Sequence, residues 1–295
     1  TPVFHWVSRR LIRAEPRSPE TAARHFRRVL RRVRLPTLMA PQVTQAEQQI
    51  GGVPCLILTP PEAVNTLLYI HGGGFVAGDP LTYRNMASRL ARQLNARVVL
   101  PDYRKAPEHP FPAPNDDVLA VYRALLDDGV RPERLVVAGD SAGGSLALSL
   151  LLDARTHGLP QPAACGLLSP ATDQNYRFGS HVRFDNVDPM LSAALIEQLQ
   201  GAYVPDVRQR QDPRASPVYG DWHGCAPLAI LVSSDECLYD QSLRLAARAR
   251  RAGVSVTLRS EPGRIHVWPI FVPLLKESAP SLHWLGEQLS RRLPG

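Results

Sequence analysis

The five residues Gly139-Asp140-Ser141-Ala142-Gly143 constrain this chain more than any others. An apolar run from Leu135 to Ala138 precedes them and reads as a buried strand. A second apolar run, Leu146 to Leu152, follows with the character of a helix. A strand that turns at once into a helix holds its middle residue in strained backbone, and the positions two before and just after it have no room for side chains. Gly139, Gly143 and Gly144 meet that demand. The pattern is a nucleophile elbow. It pushes the Ser141 hydroxyl out at the carboxyl end of a sheet. It also sets the amino terminus of the new helix, with the N–H of Ala142, beneath any negative charge that forms there. The same motif occurs by chance in loops, and the strand before it with the helix after it argues against that.

A chain of 295 residues can bury a large core in a single α/β domain. No apolar run approaches the ~20 residues that span a bilayer, so no stable membrane insertion is expected. Phe4 to Ile12 is too short, and too interrupted by arginine, for a signal peptide. Cys55, Cys165, Cys225 and Cys237 are far apart in apolar surroundings and form no CxxC, which predicts reduced core thiols in a cytoplasmic protein. The net charge of +7 is local: residues 1–34 carry ten arginines against Glu15 and Glu20, and the remainder nets −1. Phe26, Val29, Leu30 and Val33 fall at helical spacing with arginines opposite, which predicts a solvated helical face rather than a nucleic-acid patch. Contact with a membrane surface stays open as an alternative.

In order, residues 3–14 and 20–34 read as two amphipathic helices, the second capped by Ser18 or Thr21. Residues 42–49 and 53–59 read as a hairpin about Gly51-Gly52. Thr66–Ile70, Arg97–Leu100, Ala163–Leu168, Leu228–Val232 and Val254–Leu258 read as further strands. Helices are expected over 81–94, 116–127, 189–203 and 240–251, with 269–292 mainly helical. Residues 179–188 read as an irregular loop over the site. From residue 66 onward strands alternate with helices, which predicts a mostly parallel sheet covered on both faces.

The strand ending at Ile70 runs into His71-Gly72-Gly73-Gly74-Phe75. Successive glycines let the backbone turn its N–H groups toward one point, an anion-binding nest. Gly72-x-Gly74-x-x-Ala77, with Asp102 after the next strand, also passes as a dinucleotide-binding fingerprint. Pro80 and the long turn from Ala77 to Thr82 fit poorly with a helix that starts on the glycines. A nest for an oxyanion needs a nucleophile elsewhere, and Ser141 supplies one. No HExxH or clustered Cys/His set occurs, so no metal or other cofactor is expected.

Together these residues resemble the hormone-sensitive lipase family of α/β-hydrolases, the bacterial family IV esterases. The resemblance covers His71-Gly72-Gly73-Gly74, the stretch Asp102–Asp117, Gly139–Gly144, Glu236–Asp240 and Gly263–Trp268. Lys105 stands where the family usually has leucine, and Arg264 where an apolar residue is common, both departures at the pocket's rim. The resemblance implies an α/β-hydrolase fold: an eight-stranded sheet, helices on both faces, and a helical cap from residues 1–45 and about 180–220. The catalytic domain would be residues 46–295. The family often dimerises through its last edge strand, here Val254–Leu258, so a homodimer is implied.

A serine hydroxyl needs a base within reach and an acid to orient that base. The family order is Ser, acid, His. Among the later histidines, His181 falls in the implied cap, His283 in the last helix and His223 ahead of the acid, which leaves His266 as the base. The family motif acid-x-Leu-x-Asp fits Glu236-Cys237-Leu238-Tyr239-Asp240, so Glu236 is the expected acid with Asp235 as the alternate. Asp240 would cap the next helix. By resemblance the N–H groups of Gly73 and Gly74, with that of Ala142, form the oxyanion hole. His71 would orient the glycine loop, Asp140 would be structural, and Arg104 with Glu108 would form a salt bridge. The function this implies is a serine carboxylesterase acting on small-molecule esters with short-to-medium acyl chains. A lactone hydrolase or amidase would use the same residues. A non-catalytic ligand-binding protein of the same fold is the alternative from another class.

Overall fold

The computed structural model describes residues 18–32, 38–177 and 179–295. The helix expected over 3–14 lies outside them. Helix α1 (Pro19–Arg32) is capped by reciprocal bonds between Ser18 and Thr21, with Thr21 N–H donating to Ser18 Oγ at 3.3 Å and Ser18 N–H to Thr21 Oγ1 at 3.0 Å. Strands β1 (Thr44–Ile50) and β2 (Val53–Thr59) form the expected antiparallel hairpin. Gly51 and Gly52 turn it with φ of 58° and 79°, values that suit a two-residue hairpin turn and few residues but glycine.

Beyond the hairpin the chain alternates. Strand β3 (Asn65–Ile70) leads to helix α2 (Pro80–Leu94), β4 (Ala96–Pro101) to α3 (Ala113–Asp127), and β5 (Leu135–Asp140) to α4 (Ser141–Thr156). Strand β6 (Ala164–Leu168) is followed by α5 (Ser180–Arg183) and α6 (Ala193–Tyr203), and then by β7 (Leu228–Ser233), α7 (Tyr239–Arg251), β8 (Val256–Glu261) and α8 (Ser278–Ser290). The sheet has eight strands in the order β1-β2-β4-β3-β5-β6-β7-β8. β3 through β8 run parallel, and β1 and β2 are antiparallel at one edge.

The pleat divides the core into two layers. Leu67, Tyr69, Val98, Val136 and Ala138 pack with α2 and α8 on one face. Leu68, Ile70, Val99, Val137 and Leu167 pack with α3, α4 and α7 on the other. Both faces are covered, which is why the central strands read as continuous apolar runs rather than alternating ones. Among the described residues no helix is long and apolar enough to cross a membrane. None of the four cysteines is in a disulfide, and all are buried.

Several local expectations are corrected. The last strand begins at Val256, not Val254, and α6 begins at Ala193, where Ser192 caps it through Leu195 N–H, rather than at Pro189. Asp240 does not cap α7. The helix starts at Tyr239, and the Asp240 carboxylate instead accepts Ser180 N–H at 2.8 Å and pairs with Arg183. Arg104 and Glu108 do not pair. Arg104 forks onto Asp117, with Nη2 at 2.7 Å, while Glu108 takes Arg27 of α1. Arg27 is therefore no part of a solvated face: it also donates to the carbonyl oxygens of Val76 at 2.6 Å and Ala106 at 2.9 Å.

Candidate active site

The turn from β5 into α4 is as tight as the glycines require. Ser141 has φ of 51°, a left-handed conformation that costs a residue with a Cβ on the order of 1–3 kcal/mol. A Cβ on Gly139 would stand 2.4 Å from the carbonyl oxygen of Gly143, and one on Gly143 would stand 2.1 Å from that of Ile70. No side chain fits either position. Ser141 is the first residue of α4, so the amide of Ala142 lies in the helix's first turn, where N–H groups have no acceptor within the helix.

The structure brings Ser141, His266 and Glu236 together from β5–α4, the loop after β8, and the loop after β7. His266 Nε2 is 2.9 Å from Ser141 Oγ, and His266 Nδ1 is 2.7 Å from Glu236 Oε2. His266 and Glu236 are both buried. A carboxylate at Nδ1 fixes the proton on that nitrogen and leaves Nε2 as the acceptor facing the hydroxyl. Burial pulls the His266 pKa down, but Glu236, with Asp188 and Asp140 beyond it, outweighs burial, and the net shift is upward from 6.5. Burial raises Glu236, and His266 opposes that rise. Asp235, the alternate acid, faces away from the histidine: its carboxylate accepts Gly263 N–H at 2.6 Å and so holds the loop that carries His266.

The glycine loop is anchored to the strand that leads into Ser141. Asp140 Oδ1 accepts Gly72 N–H at 2.9 Å and Tyr69 O–H at 3.0 Å, and Oδ2 accepts Tyr83 O–H at 3.0 Å. Burial pushes the Asp140 carboxyl up to about 6, against the pull of these three donors. Burial likewise drives His71 down to about 3, so it stays neutral. Its Nδ1 donates to the Gly72 carbonyl at 2.7 Å, and its ring stacks on Tyr103 at 4.4 Å. His71 is thus fastened under the loop and stands apart from the Ser141–His266 pair.

One pocket joins these parts. Gly73, Gly74, Ser141, Ala142 and His266 all line it. Its remaining wall is largely apolar, with Phe26 and Leu30 from α1 and Met190, Leu191, Ile196 and Leu199 from the segment around α6. Its cavity volume is about 90 Å³, room for several waters or a short chain. Residues 179–188, expected as an irregular loop over the site, do not line it: Ser180–Arg183 form α5, which packs against α7. Lys105 and Arg264 also lie outside the lining. Lys105 pairs with Asp102, and Arg264 with Glu261 and Glu277. Among the described residues no cluster of His, Cys, Asp and Glu has the form of a metal site.

Sequence reasoning missed Asp188. Its carboxylate is buried and accepts Met190 N–H at 2.8 Å, Leu191 N–H at 3.0 Å and Cys237 N–H at 3.1 Å. It thereby ties the pocket wall to the residue after Glu236. Its place in an irregular stretch carries no periodic signal.

A strand–elbow–helix serine, a buried imidazole on its hydroxyl and a glycine loop opposite define a hydrolase of the α/β class. A family model described as the alpha/beta hydrolase fold matches residues 67–270. An acetyl-hydrolase of Streptomyces hygroscopicus is 38% identical over 75% of this chain and 74% of its own. The carboxylesterase NlhH of Mycobacterium tuberculosis is 31% identical over 85% and 83%. The crystal structure of an esterase from the bacterial hormone-sensitive lipase family superposes with a TM-score of 0.89 at 34% identity, covering 98% of this chain and 97% of that one. This chain belongs to that family of α/β-hydrolases.

Proposed function

We propose that the protein hydrolyses short-chain carboxylic esters through an acyl-enzyme. The observation that carries the reading is the continuous hydrogen-bonded line from Ser141 Oγ through His266 to Glu236, opening into a small apolar pocket. Ser141 Oγ attacks the acyl carbonyl while His266 Nε2 takes its proton. The N–H groups of Gly73, Gly74 and Ala142 receive the oxyanion. His266 returns the proton to the leaving alcohol, and Glu236 stabilises the imidazolium between the two transfers. Water then repeats the sequence on the acyl-enzyme. The relatives named as esterases favour an ester over a lactone or amide, which would pass through the same steps.

We assign the role of cap to residues 1–45 and 180–220. The support is that α1 packs on α6 and that both contribute to the pocket wall. The four buried thiols support a cytoplasmic location. The edge position of β8 leaves it available to pair with a second copy.

A fluorophosphonate probe tests the reading directly. Labelling of Ser141, located by mass spectrometry, together with turnover of p-nitrophenyl butyrate is the expected result. Folded protein that neither labels nor turns over esters points to a non-catalytic binding protein.

A further inference from the structure

Apart from Ser141, His266, Asp140 and Tyr83, the polar side chains of the pocket wall are Asp173 and three glutamines: Gln174, Gln200 and Gln241. Gln241 is committed. Its Oε1 accepts Thr172 N–H at 2.7 Å and Asp173 N–H at 3.0 Å. The other two are not. Gln174 Nε2 and Gln200 Oε1 have no hydrogen-bond partner in the protein, although the residues are only 2% and 4% exposed. Burying an amide donor and an amide acceptor unpaired is costly, and native structures do it rarely.

These two amides do not hang on loose chain. Gln174 N–H donates to Ser216 Oγ at 2.8 Å, and Gln200 Nε2 reaches the Asp173 carbonyl at 3.4 Å. Asp173 between them is itself held by Arg244 at 2.7 Å and Tyr219 at 3.1 Å. Gln241 fixes the backbone on the other side. The surroundings therefore leave one buried donor and one buried acceptor unpaired on two residues that line the pocket.

We propose that Gln174 and Gln200 form a hydrogen-bonding subsite that selects esters carrying a hydroxyl group away from the scissile carbonyl. A hydroxyl matches the pair, because it accepts from Gln174 Nε2 and donates to Gln200 Oε1. An alkyl chain of the same size leaves both amides unpaired. A site that hydrogen-bonds a substrate hydroxyl discriminates strongly against the analogue without it, since its own polar groups are then stranded. The inference rests on the esterase reading above.

Matched ester pairs test it, with the hydroxyl on either side of the ester: ethyl β-hydroxybutyrate against ethyl isovalerate, and the monoacetate of butanediol against pentyl acetate. The expected result is that the wild type favours the hydroxylated member of at least one pair by about tenfold or more in kcat/KM. In Gln174→Met and Gln200→Met that ratio falls toward unity. A substitution that only damages the fold lowers both members alike and leaves the ratio standing. Turnover of the alkyl esters by the wild type with no preference in either pair overturns the subsite and spares the esterase reading, as does a preference that survives both substitutions. Turnover of no ester at all removes both.

Discussion

Asp140 accepts the backbone N–H of Gly72 at 2.9 Å, so the residue before Ser141 holds the loop that faces it across the pocket. Tyr69 and Tyr83 donate to the same carboxylate. The serine and the proposed oxyanion donors thus share one anchor. Asp140→Asn removes the charge and gives one oxygen's place to an amide donor. We expect kcat on p-nitrophenyl butyrate to fall by about 10² with KM little changed, because misplaced donors fail the transition state more than the ground state. Circular dichroism of the variant guards against simple unfolding, and an unchanged kcat would refute the coupling.

Ser141→Ala removes the proposed nucleophile and keeps a Cβ no larger than the one the strained backbone already carries. The expected loss of turnover is about 10⁶ with the fold intact. Retained activity in folded protein would be incompatible with the mechanism.

The two adjacent acids separate by experiment. Glu236→Gln leaves His266 without the carboxylate that sets its tautomer, and a loss of about 10⁴ in kcat is expected. Asp235→Asn keeps an oxygen for Gly263 N–H and should stay within about tenfold of the wild type, since its carboxylate meets Gly263 N–H and the Ser234 hydroxyl rather than His266. The reverse ranking in steady-state kinetics would exchange their roles.

The base role proposed for His266 requires the neutral imidazole. Burial lowers its pKa, but the Glu236 charge, with Asp188 and Asp140, raises it more. A raised pKa keeps the proton on to higher pH. The kcat/KM profile should therefore fall toward acid with a midpoint above 6.5, the ordinary histidine value. A midpoint well below that value would contradict the assigned environment.

Arg27 ties α1 to the loop at Glu108 through Nη1 at 2.7 Å and Nη2 at 2.5 Å. The guanidinium holds the Glu108 carboxyl down to about 2. A depressed carboxylate contributes above its unfolded pKa and loses its contribution only as pH falls through about 2, so ordinary assay pH leaves the pair intact. Phe26 and Leu30 on the same helix line the pocket. Arg27→Met should therefore raise KM severalfold with a smaller change in kcat. An effect confined to kcat would place α1 in the chemistry rather than in binding.

Much of this molecule was legible along the chain, for local reasons. The elbow at Ser141 follows from sterics within a few residues, because Gly139 and Gly143 sit where a Cβ would strike backbone. The hairpin at Gly51-Gly52 and the buried strands follow from turn geometry and from runs of apolar residues covered on both faces. Element ends were less legible. Ser192 caps α6 three residues past Pro189, and the first turn of α7 runs through Asp240 because its carboxylate is drawn to Ser180 N–H and Arg183 instead of a cap.

What the sequence by itself determined was the order of the strands and helices and the few residue types able to supply a nucleophile, a base and an acid. Only the tertiary structure decided who meets whom. Arg104 takes Asp117 rather than Glu108, Arg27 crosses from α1 to Glu108, and Asp188 reaches Cys237 N–H. The physical reason is the same in each case. Opposite charges and hydrogen-bonding groups are interchangeable in a linear chain, and their pairing is set by distances of a few ångströms between elements far apart along it. The two unpaired glutamine amides in the pocket wall belong to that second category, since nothing in their spacing marks them and burial alone brings them into view.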